Sequence, residues 1–84
     1  MDEQNDTPSM LTNKFATATP EQIDTLWSLL RYQNLGILRK IKCMSSLFNL
    51  DSNEVIKEFP MDENQRVFDR KSRHLIHNEL IKYS

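Results

Sequence analysis

An all-α fold is what this 84-residue chain predicts, and three observations carry that prediction. One glycine and three prolines leave little material for hairpins and tight β-turns. Apolar residues recur at steps of three and four through most of the chain. Threonine and aspartate stand ahead of the periodic stretches at the spacing of helix N-caps. The expected architecture is a long capped helix, a short helix and a C-terminal helix, forming a helical hairpin or small bundle that dimerises.

Residues 1–18 carry Asp2, Glu3 and Asp6 and show no clear period, so they are expected to be a flexible acidic tail. Leu11 and Phe15 are the tail's candidates for docking on the body or on a partner. Residues 19–84 are expected to form a single small helical domain. Its first helix is announced by Thr19-Pro20-Glu21-Gln22, with a hydroxyl at the N-cap, proline at N1 and glutamine at N3. This is the spacing of a capping box, and Glu21 complements the positive end of the helix dipole.

Where that helix ends has two answers in the sequence. Asn34-Leu35-Gly36 offers a C-cap that stops it near residue 34. The apolar spacing instead runs through Ile23, Trp27, Leu30, Asn34, Ile37, Ile41, Met44 and Phe48 as an unbroken heptad seam with one polar interruption. A glycine inside a helix costs only about 1 kcal/mol relative to alanine. The seam therefore favours one helix over 20–49, roughly 45 Å long, whose seam pairs two copies of the chain. A single asparagine at an a position would set the register of that dimer.

Asp51 and Glu54 then have the spacing of a second capping box, opening a short helix over 52–59 that Phe59-Pro60 ends. Asp62 followed by Gln65 is the cap expected for a final helix over 63–82, whose apolar residues include Val67, Phe68, Leu75, Ile76, Leu80 and Ile81.

The formal net charge of −1 conceals blocks of opposite sign. Acidic residues dominate 1–24, whereas 25–50 hold Arg31, Arg39, Lys40 and Lys42 and no carboxylate at all. Blocks of this kind steer partners even when the total is near zero. Cys43 is the sole cysteine, which excludes an intrachain disulfide and suits a reducing setting, cytoplasmic or nuclear if the source is eukaryotic. No apolar run approaches the roughly 18 residues of a membrane span, so no membrane partner is expected.

The segment Met44–Phe59, MSSLFNLDSNEVIKEF, carries the most specific local pattern. Ser45 is small where two helices would cross, Asn49 stands at the turn, and Leu50 and Val55 occupy buried positions. The segment resembles the helix-turn-helix of DNA-binding regulators, with Asn49 where that motif usually has glycine. The resemblance implies DNA contacts from Arg39, Lys40, Lys42, Ser52, Asn53 and Lys57. Against it, the would-be reading helix presents Asp51, Glu54 and Glu58 to a polyphosphate, although DNA affinity comes mostly from cations.

Arg66, Arg70, Arg73 and His77 make a second pattern. Steps of 4, 3 and 4 place them within about 60° of arc on the last helix, opposite Phe68 and Leu75. A ridge of guanidinium groups can clamp carboxylates or phosphates, and its bland alternative is a solvated helix face. His74 and His77 have the spacing that begins a helical metal site, but arginines crowd them and no third ligand follows. Trp27 with Ile23, Leu26 and Leu30 suits an interface patch or a core anchor equally. One glycine cannot build a nucleotide cradle, and no two carboxylates have a reason to share a cleft. The sequence therefore points away from catalysis and from cofactors. It predicts a small regulatory or adaptor protein that binds a protein partner through Arg66, Arg70, Arg73 and His77. A helix-turn-helix-like transcriptional regulator is the alternative.

Overall fold

The computed structural model describes residues 9–83, which form five helices and no strand. In chain order these are α1 (Ser9–Ala16), α2 (Pro20–Arg31), α3 (Ile37–Leu47), α4 (Ser52–Lys57) and α5 (Gln65–Ile81). α3 packs against α2 and α4, while α5 packs against α1, α2 and α3. The longest dimension of the molecule is 35 Å, too short for a helix running unbroken over 20–49.

The start of α2 follows its sequence signals closely. Gln22 N–H donates to Thr19 Oγ1 at 3.1 Å, and Thr19 N–H donates to Gln22 Oε1 at 3.0 Å. Two orphan donors of the first turn are thereby satisfied reciprocally, with Pro20 at N1 having none to lose. The other expected caps need adjustment. Asp51 does cap α4, accepting from Asn53 N–H at 3.0 Å, but Glu54 pairs with Lys57 instead of closing the box. α5 is capped by Asn64, which accepts from Val67 N–H at 3.0 Å, two residues later than the Asp62 expected.

The expected long helix is divided. α2 stops at Arg31, Tyr32 turns extended at φ −68° and ψ 109°, and α3 begins after Gly36. A lysine from the next helix satisfies one of the carbonyls at the end of α2. Lys40 Nζ donates to the carbonyl of Leu30 at 2.7 Å, placing a cation on the negative end of the α2 dipole. The heptad spacing survives the break because α2 and α3 face one core from two directions. Ile23, Leu30, Ile37, Ile41, Met44 and Phe48 are all buried inside the single chain. A dimer seam built from them is thus corrected: six of its eight residues are already covered. The remaining two differ, Trp27 being half-buried and Asn34 exposed in the turn.

The expectation of a flexible tail is corrected for residues 9–18, while residues 1–8 lie outside the described residues. Leu11 and Phe15, four apart on α1, are each only 1% exposed. Burial of two such side chains is worth about 1.5–3 kcal/mol apiece, enough to hold a two-turn helix in place. The Phe15 ring lies 6.0 Å from that of Phe48. At the other end of α1, Glu58 accepts from Ser9 Oγ at 3.0 Å and from Met10 N–H at 3.2 Å. A carboxylate from α4 thus satisfies the positive end of α1.

Between α3 and α4 the chain turns through Asn49, whose φ of 59° is left-handed. Leu50 N–H reaches back to Ser45 O at 2.8 Å and Asn49 N–H to Ser46 O at 3.1 Å, the two bonds of a Schellman C-cap. Ser45 and Val55 are fully buried beneath this turn. The local helix, turn and helix expected at Met44–Phe59 are therefore present, with α4 only six residues long.

Candidate functional site

α2 and α5 cross with an open groove of about 1030 Å³ between them. Trp27, Leu30 and Arg31 form its α2 side, and Arg66, Arg70, Arg73 and His77 its α5 side. All four members of the α5 stripe are exposed, while Phe68, Ser72, Ile76 and Leu80 of the same helix are buried. One helical face thus feeds the core and its flank supplies the groove.

Trp27 joins the two walls. Its indole meets the His77 ring edge-on with centroids 5.4 Å apart. On its own helix the Arg31 guanidinium lies 5.5 Å from the indole centroid, a distance at which the ring quadrupole attracts a cation. The aromatic thus holds Arg31 toward the groove and lines that groove with its own ring.

The groove is strongly cationic. Asp69 is its sole carboxylate among the described residues and is bound by Arg73 at 3.0 Å. The other ion pairs among the described residues join Lys57 to Glu54, Lys71 to Glu63 and Lys82 to Glu79. None of them engages Arg31, Arg66 or Arg70. Arg66 and Arg70 are also four apart on one helix, where like charges cost about 0.2–0.5 kcal/mol. Behind this wall, Lys40 is 3% exposed. Its pKa is lowered from 10.5, first by burial and next by Arg73, with Asp69 opposing the shift. An anion entering the groove would relieve like-charge repulsion as well as form charge-assisted hydrogen bonds.

Of the residues implicated in DNA contact, Lys40 and Lys57 already have partners within the chain. Lys40 must be removed from that set, because its ammonium is buried against the end of α2. Lys57 is paired with Glu54 at 3.4 Å. Arg39, Lys42 and Asn53 are exposed, and Ser52 is half-buried. Cys43 is exposed on α3. His74 points to Asn78, with its Nε2 3.1 Å from the amide nitrogen, whereas His77 faces Trp27. The two histidines of the suggested metal spacing therefore have separate neighbours. No group of three or more His, Cys, Asp or Glu among the described residues is placed to hold a metal ion. No described helix is long and apolar enough to cross a membrane.

Sequence reasoning identified the arginine stripe but missed its opposite wall. Arg31 is visible in sequence only as part of a basic block, and Trp27 as a seam residue and as a patch with Ile23, Leu26 and Leu30. A usable signal was present: Trp27 and Arg31 are four apart, so an aromatic and a cation share one face of α2. Comparison with known protein families, with curated proteins and with solved structures returns no match.

Proposed function

We propose that this chain is a small, non-catalytic regulatory or adaptor protein that holds an acidic segment of a protein partner in the α2–α5 groove. The observation that carries the reading is the set of Arg31, Arg66 and Arg70, which line one groove with no carboxylate partner among the described residues. Guanidinium groups bind carboxylates in fork geometry and lose less order per bond than lysine does. Trp27 adds the kind of rigid apolar wall that concentrates binding energy at protein interfaces. The reading requires no homodimer, and a dimer would have to use a face other than the buried seam.

DNA binding through α3 and α4 is the second reading, favoured by the left-handed turn at Asn49. It is disfavoured by charge, since Asp51, Glu54 and Glu58 outnumber Lys57 around α4. The two readings separate in one competition assay. A fluorescein-labelled acidic peptide, followed by anisotropy at fixed salt, should bind and resist displacement by random duplex DNA. If duplex binds more tightly and its affinity depends on Arg39 and Lys42, the DNA reading replaces the protein one. A steep salt dependence, about −0.9 per phosphate contacted, would accompany that outcome.

A further inference from the structure

Trp27 lines more than the groove. Beyond the indole lies a second hollow of about 490 Å³, walled by Phe15, Ala18, Ile23, Trp27 and Tyr83. Trp27 belongs to both hollows, and they follow α2 in order: Ile23 lines one, Trp27 both, and Arg31 the other. These residues are four apart and share one helical face. From Ile23 to Arg31 the helix advances about 12 Å. α5 runs the opposite way beside it, from Tyr83 through His77 to the arginines. The charge changes sign along this course. Asp24 stands at the apolar hollow, whereas Arg31, Arg66 and Arg70 stand at the far end.

We propose that the two hollows are one bipartite docking trough for an acidic protein segment bearing a single bulky apolar side chain. The apolar side chain seats beyond Trp27 among Phe15, Ala18 and Ile23, and the carboxylates lie on the arginines. An extended chain advances about 3.3 Å per residue, so a span of about 12 Å separates the apolar residue from the acidic run by roughly four residues. Asp24 enforces the order, because a carboxylate placed beside the apolar anchor meets a like charge. The proposal rests on the acidic-segment reading above and adds the second hollow, the spacing and the orientation.

Trp27 is the chain's only tryptophan, so its emission reports directly on the junction of the two hollows. Full-length protein is titrated with three peptides that share a run of four glutamates. One carries phenylalanine four residues from the run, one carries it adjacent, and one has alanine instead. The four-residue spacing should bind at least about tenfold more tightly than the other two, the scale expected from burying one large apolar side chain. Filling the hollow with Ala18→Gln, or with a change at Ala16, which also lines it, to Gln if the first variant folds poorly, should erase that advantage and leave the alanine peptide's affinity unchanged. Equal binding of all three peptides overturns the bipartite trough while leaving the acidic-segment reading intact. Failure of every peptide to bind overturns both. A shift in Trp27 emission with protein concentration alone makes a second copy of the chain the occupant, and the proposal falls.

Discussion

Trp27 and His77 meet edge to face across the α2–α5 crossing, with their planes at 86°. The geometry directs the positive edge of one ring at the negative face of the other, an arrangement worth about 0.5–1.5 kcal/mol beyond the area it buries. It also locates the junction of the trough, with arginines on one side and the apolar hollow on the other.

Lys40 ties α2 to α3, and its replacement by methionine keeps the stem while removing the bond to Leu30 O. Loss of one charge-assisted bond at a helix end should cost about 1–3 kcal/mol. The pH dependence has a definite sign. The pKa in the folded state lies below 10.5, so the unfolded chain binds more protons as the alkaline window below 10.5 is entered. Stability from this group therefore rises with pH there. Denaturant melts from pH 8 to 10 should show the wild type gaining on Lys40→Met. A gap that narrows would contradict the burial described.

Asn49 adopts a conformation that costs an ordinary side chain about 1–2 kcal/mol and glycine almost nothing. Asn49→Gly should hold or slightly raise stability, whereas Asn49→Val should lower it by about that amount. Thermal melting of the two variants checks the turn on which the helix-turn-helix resemblance rests.

At the α2–α3 turn, Gly36 serves as an N-cap with φ −72° and no side-chain hydrogen bond, and an added Cβ meets nothing within 4 Å. Gly36→Ser should therefore stabilise by roughly 0.5–1 kcal/mol, from a supplied cap and a stiffer unfolded chain. Asn34→Leu, at an exposed position, should change stability by less than about 0.5 kcal/mol. A large gain from Asn34→Leu would restore the continuous-helix seam.

These contrasts show which features were legible in sequence. Thr19 and Gln22 act within one turn, so their spacing fixed the start of α2 without further knowledge. The turn at Asn49 was legible for the same reason. The end of α2 was legible only as one of two alternatives, a break at Asn34-Leu35-Gly36 or a continuous seam, and the bond from Lys40 back across ten residues to Leu30 has no local signature. Periodicity could not discriminate either, since two helices facing one core and a single helix facing a twin bury the same positions. α1 was missed because Leu11 and Phe15 supply only one apolar step, and their burial comes from distant neighbours such as Phe48. The arginine stripe lies on one helix and was readable from its 4-3-4 spacing. The groove required Trp27 and Arg31 from another helix, a tertiary pairing no local pattern encodes.

The central claim is that the α2–α5 groove is a binding site for acidic protein segments, and Arg66 and Arg70 test it with the least structural side effect. Both are exposed and without an ion pair among the described residues. The double variant Arg66→Ala, Arg70→Ala should change stability by less than about 0.5 kcal/mol, or a few degrees of melting temperature in a domain this size. Its affinity for the acidic peptide with phenylalanine at the four-residue spacing should fall tenfold or more. Circular-dichroism melting and anisotropy on the same preparation decide the matter. A folded variant with weakened binding is the predicted result, and a folded variant that binds the peptide as tightly as the wild type would contradict the account.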